Sequence, residues 1–270
     1  MNERPRLAGS AALGGFTLVE MAVVLLILGL LVAGAIGPLE TQLEARDRAA
    51  ALTLLERARD ALYGYAVTHG RLPCPDTDGD GRPNPAFDPA NKLTATCTGV
   101  TGFLPWVELG VEGGDPWGNR LSYRLTSPRF AWADADGLCN GNTTGELDLC
   151  AQGGIAVHSR GDNPATNGTL EGKFDFTAAD DVPAIVLSHG RNGAGATTLG
   201  GALRAAPLGI DEQDNANADA RFMLRGYTRG DRECRDAGAE TTPLCEFDDL
   251  GVWLSPTVLN ERLVSAQRLP

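Results

Sequence analysis

The chain is poor in histidine, has no excess of basic residues and carries none of the short motifs that mark the common catalytic chemistries. Its three histidines, His69, His158 and His189, are scattered, so their spacing defines neither a nucleophile–base pair nor a metal-ligand set. Ser188 and His189 are neighbours along the chain, which does not define a triad. A structural or surface role is expected for each histidine. No G-x-S-x-G elbow and no phosphate-binding Gly-Lys loop occurs, which removes the signatures of serine hydrolases and P-loop nucleotide chemistry. The chain is not expected to be an enzyme. Lys and Arg number 23 against 35 Asp and Glu, a net charge of -12. A nucleic-acid partner is excluded, because phosphate binding needs a basic face. The acidic balance instead suits cation binding or a well-solvated exterior. No internal repeat and no low-complexity tract is present.

What is present begins with one apolar stretch, Gly14 to Pro38, GGFTLVEMAVVLLILGLLVAGAIGP. From Phe16 to Gly37 only Thr17 and Glu20 are polar. As a helix that run rises about 33 Å, close to the hydrocarbon thickness of a bilayer. A lone carboxylate inside it is costly unless partnered. The preceding residues carry Arg4 and Arg6, which the positive-inside rule places in the cytoplasm, with the bulk of the chain on the other side. The six cysteines, Cys74, Cys97, Cys139, Cys150, Cys234 and Cys245, all follow the apolar stretch, and none has C-x-x-C spacing. They are expected to form disulfides in an oxidising compartment, consistent with that orientation. Among the possible pairings, sequence neighbours are the simplest: 74–97, 139–150 and 234–245.

Gly15-Phe16-Thr17-Leu18-Val19-Glu20 followed by an apolar run resembles the N-terminus of type IV prepilins and type II secretion pseudopilins. The resemblance implies that a prepilin peptidase cuts after Gly15 and methylates the new N-terminal Phe16. It also implies that Glu20 pairs with the amine of a neighbouring subunit during assembly. Two features depart from the family pattern: Gly14 stands where Lys or Arg is commoner, and Pro38 lies one place later than usual.

Beyond Pro38, residues 39–70 are rich in Ala, Leu, Glu and Arg, good helix formers. Leu52, Leu55, Ala58/Arg59, Leu62 and Tyr65 recur at helical spacing and predict the face on which a sheet packs. Gly64 weakens this helix and Gly70 ends it, while Pro38 can kink it. Next, Asp76, Asp78 and Asp80 alternate before Gly81, matching the first half of an EF-hand calcium loop. Asn84 at the ninth position can add an oxygen. The twelfth position is Phe87, however, and Pro83 and Pro85 are foreign to such loops, so a solvated Asp/Gly turn stapled by Cys74–Cys97 is the alternative. Asp134, Asp136, Asn140 and Asn142 form a weaker oxygen cluster.

Asp115-Pro116-Trp117-Gly118-Asn119 followed by Tyr123 reads as a turn into an alternating strand, with Trp117 as a core plug. This segment is similar to the one leading into the sheet of the major pseudopilin of type II secretion. So is the frame formed by Ser188-His189-Gly190-Arg191-Asn192-Gly193 and Phe247-Asp248-Asp249-Leu250-Gly251-Val252-Trp253. In that family the loop between the two holds calcium, which implies Asn192, Asp248 and Asp249 as candidates. Here about fifty inserted residues separate the halves. The alternative is that the aspartates decorate a turn before an edge strand. Residues 154–157 and 182–188 read as strands, 211–220 as a loop, and 254–270 as a short capping helix.

These readings converge on an α+β chain in which a long N-terminal helix, half transmembrane and half amphipathic, packs on an antiparallel sheet head with disulfides and large insertions. Its expected parts are a leader (1–15), an assembly helix (16–38), its amphipathic continuation (39–70) and a periplasmic head (71–270). The expected role is a pseudopilin or minor pilin of a bacterial type II secretion pseudopilus or type IV pilus, single-pass at the inner membrane. Its partners would be other pilin subunits, the prepilin peptidase, the inner-membrane assembly platform and lipid, with calcium as the one ligand. The alternatives are a tip or adhesin-type minor pilin that binds an exoprotein or surface, and a membrane-anchored calcium-binding protein that never assembles.

Overall fold

A computed structural model of the chain describes residues 17–86, 88, 96–126, 153–158, 182–217, 219–228 and 245–268, and leaves the side chains of 32–39 undescribed. Gly15, Phe16, Cys139, Cys150, Cys234 and the 134–142 oxygen cluster lie outside these residues.

The dominant element is helix α1, Leu18–His69. It starts where Thr17 and Glu20 cap each other. The Thr17 N–H donates to Glu20 Oε2 at 2.8 Å, and the Glu20 N–H donates to Thr17 Oγ1 at 3.3 Å. This reciprocal arrangement is a capping box and satisfies two N-terminal donors. The helix ends at Gly70, whose φ of 72° closes the last turn through a bond from its N–H to the Ala66 carbonyl. The backbone is helical through Pro38.

Two compact units divide the chain, Met1–Arg46 and Asp47–Pro270. In the first, every described side chain from Leu18 to Leu31 is exposed. Those residues rise only ~21 Å. Among the described residues no helix is long and apolar enough to cross a membrane, so the expected transmembrane half is not found there.

The second unit contains the head together with the C-terminal part of α1 from Asp47 onward. Four strands form an antiparallel sheet: β1 (Thr101–Phe103), β2 (Ser122–Leu125), β4 (Ala184–Ser188) and β6 (Leu250–Trp253), in the order β1-β2-β4-β6. Alternation assigns the faces. Tyr123 and Leu125 of β2, Ala184 and Val186 of β4, and Leu250 and Val252 of β6 share one core with Leu55, Ala58 and Leu62 of α1. Helix α4 (Pro256–Ser265) closes that core with Leu259 and Leu263. The helix stripe differs from the periodic expectation at one point: Leu54 faces the core, and Leu52 points outward at 42% exposure. Trp117 packs half-buried against the same core, as expected of a plug.

A two-stranded parallel ribbon, β3 (Ala156–His158) with β5 (Arg221–Met223), builds a second apolar cluster. Ile185, on the sheet face turned away from α1, joins Ile155, Val157, Val182 and Phe222 in it. Among the described residues the remaining helices are the single turn α2 (Trp106–Leu109) and α3 (Ile210–Ala216). Helix α3 replaces the loop expected over 211–220. The chain is thus α+β with an antiparallel sheet. One expected disulfide, Cys74–Cys97, is formed, and Cys245 is also disulfide-bonded.

Candidate metal centre

Strand β4 ends at Ser188, and its antiparallel register with β6 sets Ser188 opposite Leu250. The turn after β4 therefore meets the two aspartates before β6. The turn is tight: Gly190 and Gly193 have φ of 58° and 60°, and the Gly193 N–H donates to the His189 carbonyl at 3.0 Å. A Cβ on Gly190 would lie 2.5 Å from Asp248 Oδ1, so glycine is what lets the turn approach the carboxylate. The DPWGN segment braces the same turn. Ser188 Oγ donates to Asp115 Oδ2 at 2.7 Å, and Asn119 Nδ2 donates to the Gly190 carbonyl at 3.3 Å. Asp115 also accepts the N–H groups of Trp117 and Asn119, which is why an aspartate opens this turn.

Three carboxylates converge here. Glu212 from α3 joins Asp248 and Asp249, each offering an oxygen within 4.8 Å of the others. All three are buried, at 3%, 3% and 2% exposure. Glu212 Oε1 accepts from Asn192 Nδ2 at 3.0 Å and from the Asp248 N–H at 3.3 Å. The Asn192 N–H donates to Asp248 Oδ2 at 2.7 Å, and Asn215 Nδ2 donates to Asp249 Oδ2 at 2.8 Å. Asn192 thus braces the acids, and its own Oδ1 accepts the Ala194 N–H.

The electrostatics follow from burial. Loss of water pushes the Asp248 carboxyl up to about 7, and the charges of Glu212 and Glu246 push the same way. Burial, then the Glu212 charge, raises Asp249 well above its ordinary value. Burial raises Glu212 as well. Asp248 Oδ1 and Asp249 Oδ1 are buried without a hydrogen-bond partner among the described residues. The nearby guanidinium of Arg225 is engaged elsewhere, 2.6 Å from Asp211 and bonded to the Cys245 carbonyl.

An oxygen-only set of buried carboxylates with two unpartnered oxygens could hold a hard metal ion. Glu212, Asp248 and Asp249 would hold it.

The other acidic cluster is arranged differently. Asp76, Asp78 and Asp80 also bring oxygens within 4.8 Å of one another, but only Asp76 is buried. Backbone N–H groups of the turn donate to one or both oxygens of each of these carboxylates. Asp76 Oδ1 accepts the Asp78 and Gly79 N–H groups, and Oδ2 accepts that of Gly81. The carboxylates of Asp78 and Asp80 accept the N–H groups of Asp80 and Arg82 in turn. Asn84 Oδ1 accepts the Thr77 N–H at 2.6 Å, and Arg120 Nη1 donates to the Gly79 carbonyl at 2.6 Å. This is a self-capped Asp/Gly turn whose three carboxylates could also hold a metal ion.

His189 is buried and links two chemistries. Its Nε2 lies 3.1 Å from Ser122 Oγ, and its Nδ1 lies 3.8 Å from Asp249 Oδ1, too far for a hydrogen bond. Burial lowers its pKa to about 4, so the ring is neutral at neutral pH. Sequence reasoning named Asp248, Asp249 and Asn192 as ligand candidates; the structure sets the two aspartates beside Glu212, which that reasoning did not name, and uses Asn192 and Asn215 as hydrogen-bond donors to the acids. Glu212 and Asn215 stand one helical turn apart in an entirely polar stretch, a pattern that otherwise marks a solvated loop.

No family model, no curated protein and no solved structure matches this chain.

Proposed function

We propose that the chain is a structural subunit, a pseudopilin or minor pilin, of a type II secretion pseudopilus or a type IV pilus. The observation that carries this reading is the GFTLVE motif at the head of an apolar helix whose described side chains from Leu18 to Leu31 are all exposed. An apolar helix surface of that extent needs lipid or other helices around it. In this reading a prepilin peptidase cleaves after Gly15 and methylates Phe16. The apolar helix waits in the inner membrane with the head in the periplasm, and the assembly platform moves it into a fibre of like subunits. Glu20 then meets the N-terminal ammonium of a neighbour. In a low dielectric each charge relieves the burial of the other, so this pair selects axial register. Hydrophobic contacts from Met21 to Ile36 supply most of the adhesion. The Glu212–Asp248–Asp249 cluster holds a calcium-class ion that rigidifies the head.

A second reading, a tip or adhesin-type minor pilin binding an exoprotein or surface, is favoured by one feature. The insertion exposes Leu203 and Leu208 at 77% and 72%. Copy number relative to the other fibre subunits tests this second reading, because a tip subunit is rare and an abundant chain would argue against it. A calcium-binding protein that remains membrane-anchored would keep its leader uncleaved.

Mass spectrometry of the mature N-terminus tests the first reading. A methylated Phe16 is expected, and an intact Met1 would refute processing.

A further inference from the structure

Strand register divides the sheet face turned away from α1 into two halves. Thr101, Arg124 and Ile185 stand in one row across β1, β2 and β4, and Ser122 and Leu187 stand in the next. Alternation points them away from the core that Tyr123 and Leu125 share with α1. The β2 half of this face is therefore polar and the β4 half apolar. Phe222 of the ribbon joins Ile185 in the second apolar cluster and covers the apolar half. Where the halves meet, a cavity of about 80 Å³ remains. Its polar lining includes Thr101, Ser122, Arg124 and His189, and its apolar lining Ile185, Leu187 and Phe222.

The amides of Asn215 and Asn217, which also border the cavity, are committed to Met223, Asp249 and Asp219. Selection therefore falls to the other polar groups. Arg124 Nη1 donates to Thr101 Oγ1 at 2.7 Å. A hydroxyl that accepts such a bond still has its own hydrogen to donate. Further in, Ser122 Oγ lies 3.1 Å from His189 Nε2. Burial lowers the Arg124 pKa, against the opposing pull of the Asp219 charge, so the guanidinium is short of water. Asp219 also lies 3.7 Å from Arg221.

The space admits roughly two or three waters, or one solute of about five non-hydrogen atoms. A guanidinium beside a hydroxyl matches the two oxygens of a carboxylate. A cation would be repelled, and a neutral amide would turn its NH₂ toward donors. A bare phosphate or sulfate would set oxygens against Ile185, Leu187 and Phe222. The partner that suits both linings is a carboxylate with a short apolar tail.

We propose that this cavity is a binding site for a small carboxylate, with Arg124 and Thr101 holding its oxygens and Ile185, Leu187 and Phe222 receiving its tail. The group comes from a free short-chain acid or from the end of a peptide chain. The site uses none of the carboxylates of Glu212, Asp248 and Asp249, and it does not depend on the subunit reading.

The test uses the full-length protein in detergent micelles, with β-fluoropropionate as the probe and fluorine NMR as the readout. Saturable line broadening is expected, with a Kd on the order of millimolar, reversed by unlabelled propionate. β-Fluoropropionamide, of the same shape, should bind about tenfold more weakly or worse. Arg124→Gln should weaken the acid about tenfold or more, and Thr101→Val roughly threefold or more. Thr101 is exposed, so Thr101→Val keeps the test decisive should Arg124→Gln fail to fold. No saturable binding, equal binding of acid and amide, or binding that Thr101→Val leaves unchanged overturns the site. A short peptide ending in alanine separates the two sources. Better competition than propionate, lost when its end is amidated, assigns a chain end; worse competition assigns a free acid.

Discussion

Asp248 keeps its proton to about pH 7 in the folded chain, against an ordinary value of 3.8, because water is excluded around it. Through linkage, a carboxyl with a raised folded pKa favours folding most at low pH. That contribution is lost as pH rises from the ordinary value through the folded one. Asp249 and Glu212 shift in the same direction. His189 shifts the opposite way, from 6.5 to about 4, so its contribution is present above 6.5 and lost as pH falls through about 4. The two effects oppose each other between about 4 and 6.5, and above that window only the carboxyls still titrate. Chelated protein should therefore lose stability between roughly pH 6.5 and 8, by about 1 kcal/mol or roughly 2–4 °C in Tm. Saturating Ca²⁺ should remove the loss, because the ion replaces the protons. Thermal melts across that range check this, and a metal-free protein that grows more stable toward pH 8 would contradict it.

Among the elements, the core face of α1 carries the head. Leu55 is fully buried against the sheet, whereas Leu52, three residues earlier, is 42% exposed. Both were placed on one stripe by their spacing. The difference arises because positions 51, 54, 55, 58, 62 and 66 form the stripe that meets β2, β4 and β6, and Leu52 lies off its centre. Leu55→Ala should cost about 2–5 kcal/mol through the cavity it leaves, and Leu52→Ala no more than about 0.5 kcal/mol. Chemical denaturation of the two variants measures the gap, and equal losses would show that the helix face is misassigned. Helix α4 is the opposite case, legible from local chemistry. Ser255 at the N-cap accepts from the Val258 N–H, proline occupies the first turn, and Leu259 and Leu263 repeat at helical spacing into the core.

For the whole molecule, the question is what Glu20 does. Within one chain it already has a local role, capping α1 together with Thr17. Assembly adds a second demand on the same carboxylate, and the two can be separated. Glutamine completes a capping box as glutamate does but carries no charge. Glu20→Gln should therefore start the helix normally and be processed at Gly15, yet enter fibres poorly. Glu20→Leu should lose the charge and the side-chain half of the cap and be incorporated no better. Immunoblots of sheared fibres against total subunit provide the readout. Normal incorporation of Glu20→Gln would show that the cap, and not the charge, is what position 20 supplies.

Local signals alone were enough for much of this molecule. The apolar run with its single carboxylate, the helical continuation to Gly70, a strand over 182–188 (observed as Ala184–Ser188), the Trp117 plug and the Cys74–Cys97 pair can all be read from periodicity, turn chemistry and spacing. These features depend on neighbours a few residues away, or on apolar residues that have one place to go. The metal centre is different. Asp248, Asp249 and Asn192 stand in recognisable turns, but Glu212 and Asn215 lie in a polar stretch with no apolar period to announce a helix. Their partners are 20 to 36 residues away in the sequence. The structure also forms the EF-hand-like cluster at Asp76–Asp80, with its three carboxylates close enough to share an ion, but backbone N–H groups that no sequence pattern displays already bond several of its oxygens. Which carboxylates are left without partners is settled by burial and by the β4–β6 register. Both are properties of the folded chain, because only folding excludes water and brings distant charges together.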